Sequence, residues 1–127
     1  MKATGTAAAA LAAWLAAGAP AWAGGDPAKG QTVFNRCVIC HTIKPGEPNR
    51  LGPNLHGLFD REAGKQANFT YSPGLASATF KWNDDELDKW LTKPQKFVAG
   101  AKMPFNLPNA QDRADVISYL HKAAEAP

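Results

Sequence analysis

Two cysteines, Cys37 and Cys40, stand two residues apart, and a histidine, His41, follows the second. No other feature constrains this chain as strongly, because Cys-x-x-Cys-His is read as the attachment site of a c-type haem. The reason is geometric. Two thiols at this spacing add across the two vinyl groups of the porphyrin as thioethers. The next residue is then held beneath the ring, where an imidazole nitrogen can reach iron. A chain built this way has to fold around a large, flat, apolar group. Three other readings of the cysteines explain less. A thioredoxin-like pair requires a preceding strand in a βαβ pattern, and none is visible. A structural zinc site requires a fourth ligand, and the chain has no further cysteine. A local disulfide leaves His41 unexplained.

The N-terminus is of a different character. Lys2 is the only charge before Asp26, and the stretch from Ala7 to Ala17 holds only alanines, leucines and Trp14. Gly18 and Pro20 break any helix there, and Ala21-Trp22-Ala23 places small residues two apart. This is the three-part pattern of a secretory signal peptide, so residues 1–23 are expected to be removed after Ala23. The competing reading is an uncleaved anchor, but the run falls short of the roughly 20 residues that cross a bilayer. Export to the periplasm agrees with the cysteine motif, since covalent attachment of haem takes place outside the bacterial cytoplasm. Residues 24–127 then form one domain. Its surface burial would be only moderate at that size, and a central cofactor would add to its core. Removing Lys2 leaves 13 basic residues against 11 acidic ones. No dense Lys/Arg cluster marks a nucleic-acid surface.

The domain reads as all-α, with helices separated by long Gly/Pro-rich loops. Asp26 caps a first helix with Pro27 at its first position, and that helix is expected to run into the Cys37–His41 region. A long loop follows from about Thr42 to Tyr71. Seven of its residues are glycine or proline: Pro45, Gly46, Pro48, Gly52, Pro53, Gly57 and Gly64. A loop of that length makes sense in a small domain if it wraps a cofactor. Ser72-Pro73 opens a short helix to about Thr79. Asn83 with Glu86 forms a capping box for a helix whose Leu87, Trp90 and Leu91 make an apolar stripe, and which Pro94 stops. A second loop, Val98 to Pro108, carries Met103. Asn109 and Asp112 begin the last helix, with Ile117, Leu120 and Ala124 at helical spacing.

A second axial ligand has four candidates: Met103, His56, His121 and Lys102. Once the signal is removed, Met103 is the only methionine. It sits in a loop before Pro104 rather than on a helix face, where filler methionines are usual. His56 is expected to pin its loop through a buried hydrogen bond, and His121 to lie on the surface. His/Met ligation would raise the haem potential.

Taken together these residues resemble the class I c-type cytochromes, of the mitochondrial type and its bacterial periplasmic relatives. The resemblance is carried by Cys37-Val-Ile-Cys40-His41, by Gly52-Pro-Asn-Leu-His-Gly-Leu-Phe59, by Phe69-Thr-Tyr-Ser72 and by Trp82. It continues in Lys102-Met-Pro-Phe105 and in the ending Arg113 to Leu120. It covers almost all of the chain from Asp26 to Ala124. It implies a single cytochrome c domain wrapped around one covalent haem, with His41 as one iron ligand and Met103 as the other. It implies that the Pro53 carbonyl accepts from the second nitrogen of His41, and that Arg61, Tyr71 and Trp82 meet the haem propionates. It also places Gly30, Phe34 and Tyr119 at the crossing of the first and last helices. Two positions depart from the pattern. Trp90 stands where the family often has a tyrosine, and Ala101 where it often has threonine. Trp90 is expected to pack over the haem instead.

The function implied is single-electron transfer between respiratory or photosynthetic partners, since a haem with two protein ligands offers a substrate no open position. Nothing in the sequence suggests a catalytic nucleophile, an acid/base pair or a small-molecule substrate. By family position Arg36, Arg50, Lys96 and Lys102 would ring the exposed haem edge of a monomer. They would meet an acidic surface on membrane or periplasmic redox proteins. The alternatives are a haem subunit of a periplasmic dehydrogenase or sulfur-oxidising complex, a ligand-sensing haem protein, and a thiol oxidoreductase.

Overall fold

A computed structural model describes residues 24–127; the expected signal peptide, residues 1–23, and its expected cleavage after Ala23 lie outside the described residues. Five α-helices follow one another: α1 (Pro27–Phe34), α2 (Pro73–Ala76), α3 (Asp84–Thr92), α4 (Pro94–Phe97) and α5 (Ala110–Ala123). A single 3₁₀ turn covers Leu58–Asp60. Among the described residues there is no strand, only an isolated bridge between Glu62 and Lys81. The all-α reading therefore holds.

Each helix begins where side-chain chemistry dictates. Asp26 caps α1 by accepting from the amides of Ala28 (2.8 Å) and Lys29 (3.3 Å). Asn83 caps α3 through the Glu86 amide (2.9 Å), and Asn109 caps α5 through the Asp112 amide (3.0 Å). Each such cap stabilises its helix by roughly 1 kcal/mol, because it satisfies an amide the helix cannot. Two expectations need correction. The first helix does not run into the haem motif; α1 ends at Phe34, and residues 35–40 continue as tight turns. The helix opened by Ser72-Pro73 closes at Ala76 rather than Thr79. One helix was not foreseen at all. Pro94 both ends the run of α3 and starts α4, because proline tolerates a first helical position, where its missing N–H costs nothing.

α1 and α5 cross in close contact and form the base of the molecule. Gly30 lies at the crossing, where a Cβ would collide with the Asp115 carbonyl of α5. Close by, Phe34 and Tyr119 meet with ring centroids 5.2 Å apart. Asp115 is buried there, and its carboxylate accepts from the Asp26 amide (2.8 Å) and the Gln111 side chain (2.9 Å). Buried charge needs such partners. α3 buries the expected stripe of Leu87, Trp90 and Leu91. Arg113 ties it to α5, donating to the Asp88 carboxylate (2.7 Å) and to the carbonyl of Leu107 (2.9 Å). No helix among the described residues is long and apolar enough to cross a membrane.

Candidate haem site

The cysteine pair sits on the turns that follow α1. The Cys37 amide donates to the Phe34 carbonyl (2.8 Å), and the amides of Cys40 (3.0 Å) and His41 (2.9 Å) both donate to the Cys37 carbonyl. These bonds fold residues 37–41 into one tight turn, so the two thiols and the imidazole leave the same short segment. No disulfide joins the cysteines. Burial pushes the Cys37 thiol up to about 11, opposed by the adjacent Arg36 charge and reinforced by Cys40. A redox-active thiol pair needs the opposite, a depressed pKa that supplies thiolate near neutrality. The raised Cys37 thiol argues against thiol exchange at this turn.

His41 is oriented by the chain that follows it. Its Nδ1 lies 2.7 Å from the Pro53 carbonyl. A carbonyl can only accept, so Nδ1 carries the proton and Nε2 keeps its lone pair. Burial holds the ring below the ordinary histidine value, only partly offset by that hydrogen bond, so the imidazole is neutral. This is the state a metal ligand requires. Gly52 backs the ring, where a Cβ would stand 2.7 Å from both ring nitrogens and closer still to Cε1. The Gly52 amide in turn donates to the Cys40 carbonyl (2.8 Å).

The long loop is held by its own polar groups, and here Asn54 matters more than the sequence suggested. Its side chain is buried and donates to the carbonyls of Lys44 (2.9 Å) and Glu47 (2.8 Å) while accepting from the His56 amide (2.7 Å). An asparagine following Gly-Pro is a turn signal, and that was the one hint available. His56 departs from expectation. Its main chain is pinned, by Asn54 and by Arg61, but its Nδ1 is buried without a hydrogen-bond partner among the described residues. His121 is not a simple surface residue either: it stacks on Phe59 at 3.9 Å and pairs with Asp84.

Arg61, Tyr71 and Trp82 are held by different means. Arg61 spends two bonds of its fork on the carbonyls of His56 (2.6 Å) and Asn54 (2.7 Å) and a third on Gln66 (2.6 Å). It thereby braces the loop across its width. Tyr71 accepts from the Gln66 amide (3.2 Å), which leaves its O–H proton free to donate. Burial pushes Tyr71 up and Arg61 down from their ordinary values, each opposed by the other's presence. Trp82 is buried, with Phe80 edge-on at 5.1 Å and Trp90 edge-on at 5.7 Å. Trp90 therefore packs on Trp82 and joins the core.

Met103 is half-buried against the same core, in the loop between α4 and α5. Phe97, Val98 and Phe105 are likewise half-buried along this segment, and Leu55 and Phe59 along the long loop. The paired thiols and His41, with the small Gly52 behind its ring, form a donor set that fits a haem bound through Cys37 and Cys40. Among the described residues, no three His, Cys, Asp or Glu side chains converge as a metal site of their own.

Comparison with known proteins agrees. The family model described as cytochrome c matches residues 27–124. Cytochrome c of Ginkgo biloba is 42% identical over 101 residues, covering 78% of this chain and 89% of that protein. Cytochrome c of Arabidopsis thaliana is 42% identical over 100 residues, covering 77% and 89%. A bacterial relative, cytochrome c2 of Rhodomicrobium vannielii, is 42% identical over 103 residues, covering 80% and 82%. With the fold, the cysteine turn and this match over most of its length, the chain belongs to the cytochrome c family and carries a covalently bound haem c with its iron.

Proposed function

We propose that this protein is a periplasmic single-electron carrier in which His41 and Met103 are the two axial ligands of the haem iron. The observation that carries the reading is the hydrogen bond from His41 Nδ1 to Pro53. It assigns the tautomer, fixes the ring plane and leaves Nε2 as the donor. The haem supplies a one-electron iron couple. The chain's part is to keep two ligands in place through both oxidation states, so that little reorganisation accompanies each transfer. Met103 is the one thioether among residues 24–127, and it stands on a segment that packs against the core. Arg61 and Tyr71, both bonded to Gln66, combine positive charge with a donor suited to a haem propionate, and Trp82 offers an indole N–H for the same purpose. Electron carriage itself is the family's property.

Optical spectra of the two oxidation states test the ligation. The oxidised protein should show a sulfur-to-iron charge-transfer band, and Met103→Ala should lose it. A band that persists in Met103→Ala removes Met103 from the site.

Docking is proposed at the exposed edge beside the cysteine turn. Arg36 and Arg50, with Lys96 and Lys102, are all exposed. Arg50 is fastened beside the turn by its bond to the Val38 carbonyl (2.9 Å), and Arg36 lies 4.0 Å from Asp112. Surface pairs of that kind contribute little, so Arg36 remains available to a partner. Ile39 and Leu51, 74% and 82% exposed, supply apolar contact in the same region. An acidic partner surface should associate quickly at low salt and much more slowly at high salt, because steering is screened. A rate indifferent to salt would remove this docking mode. Export is tested by the mature protein's N-terminus, which should be Gly24.

A further inference from the structure

α4 is only four residues long, yet it is firmly seated. Pro94 is fully buried, the Val98 amide donates to its carbonyl (2.9 Å), and Phe97 meets Phe80 edge-on at 5.4 Å. From this base Gln95 reaches across the following loop and donates from Nε2 to the main-chain carbonyl of Met103 at 2.6 Å. The loop is fastened near its start by the Ala101 amide on the Val98 carbonyl (3.1 Å) and at its end by the Leu107 amide on the Leu91 carbonyl (2.7 Å). Between those two points, the Gln95 bond is the one hydrogen bond among the described residues that reaches residues 102–106. Pro104 biases Met103 toward extended backbone but ties it to nothing else. Trp90 and Ala101, near the loop, carry no hydroxyl that could hold a sulfur atom.

We infer that Gln95 is the positioning residue for Met103, holding its thioether through the main chain rather than through the side chain. The inference rests on the axial role proposed above for Met103. An outside ligand can take the thioether's place only when this loop moves, and the loop moves more readily when its single internal tie is cut. A neutral hydrogen bond of this kind corresponds to about a two- to tenfold change in such an equilibrium.

The test is imidazole binding to the oxidised holoprotein, measured as rate and affinity, in wild type, Gln95→Ala, Gln95→Glu and Gln95→Lys. Alanine removes the donor, glutamate sets a carboxylate against the carbonyl, and lysine restores a donor of similar reach. Gln95→Ala and Gln95→Glu should bind imidazole about two- to tenfold more readily and lose the sulfur-to-iron band at lower temperature. Gln95→Lys should stay near wild type, and helix melting should be the same in all four. Wild-type binding in the alanine and glutamate variants overturns the inference, and so does a lysine variant as labile as alanine. If the wild-type protein lacks the sulfur-to-iron band, the Met103 assignment fails and takes this inference with it. If the band is present and only the variants behave as wild type, the Gln95 role alone is lost.

Discussion

The segment around His41 and the segment around Met103, the two sides of the proposed site, are held very differently. On the His41 side the amides of Cys40, His41, Gly52 and Leu55 all have carbonyl partners within residues 37–42. Asn54 adds three bonds through its side chain, and the imidazole is tied to Pro53. On the Met103 side, one hydrogen bond among the described residues, from Gln95, serves residues 102–106. The difference has a physical consequence. Local opening is rare where many bonds must break together and common where one suffices. The histidine half is a preorganised socket, and the methionine half is a strap.

That contrast can be broken by substitution, and the largest effect should come from the socket. Gly52→Ala drives a methyl group into the His41 ring, which cannot retreat without losing its bond to Pro53. Overpacking of this kind should cost about 3 kcal/mol, seen as a fall in Tm of more than about 10 °C. If Gly52→Ala melts as wild type does, the ring is not backed as described. Next comes Asn54→Ala, which strands two carbonyls and one amide and should cost about 2 kcal/mol in denaturant titration.

A pH effect is expected where α1 meets α5. The Asp26 amide holds the Asp115 carboxyl below its ordinary value, burial opposes it, and Gln111 adds to the lowering. A depressed carboxylate stabilises the fold fully above its unfolded value, about 3.9, and that stabilisation is lost as pH falls through the folded value. Asp115→Asn should therefore differ from wild type at about pH 6, and the gap should close on acidification through the acid range below about pH 4. A gap independent of pH would show that charge plays no part. The smallest expected effect sharpens the contrast: Gln95→Ala should lower global stability by less than about 0.5 kcal/mol, even as it loosens the strap.

Much of this was legible in the residues. Asp26, Asn83 and Asn109 announce helix starts because capping is local chemistry, and each caps its helix, although the Glu86 carboxylate pairs with Lys89 instead of completing a capping box with Asn83. The stripe of Leu87, Trp90 and Leu91 is buried because helical periodicity is local as well. What escaped was either locally ambiguous or dependent on which surfaces meet. α4 was hidden because proline signals a stop and a start with the same letter. The orphaned Nδ1 of His56 and the stack of His121 on Phe59 depend on which surfaces meet. Asn54, whose side chain makes three hydrogen bonds within the long loop, looked like one turn residue among many.

By itself, the sequence determined that haem is held through Cys37 and Cys40 with His41 beside them, because covalent attachment needs only neighbours in the chain. It also determined an all-α domain, since caps, prolines and apolar spacing act within a few residues. Only the tertiary structure decided which nitrogen of His41 is free, since that depends on a carbonyl twelve residues away. Only it showed the imbalance between socket and strap, because the number of bonds across a segment depends on where the rest of the chain comes to lie.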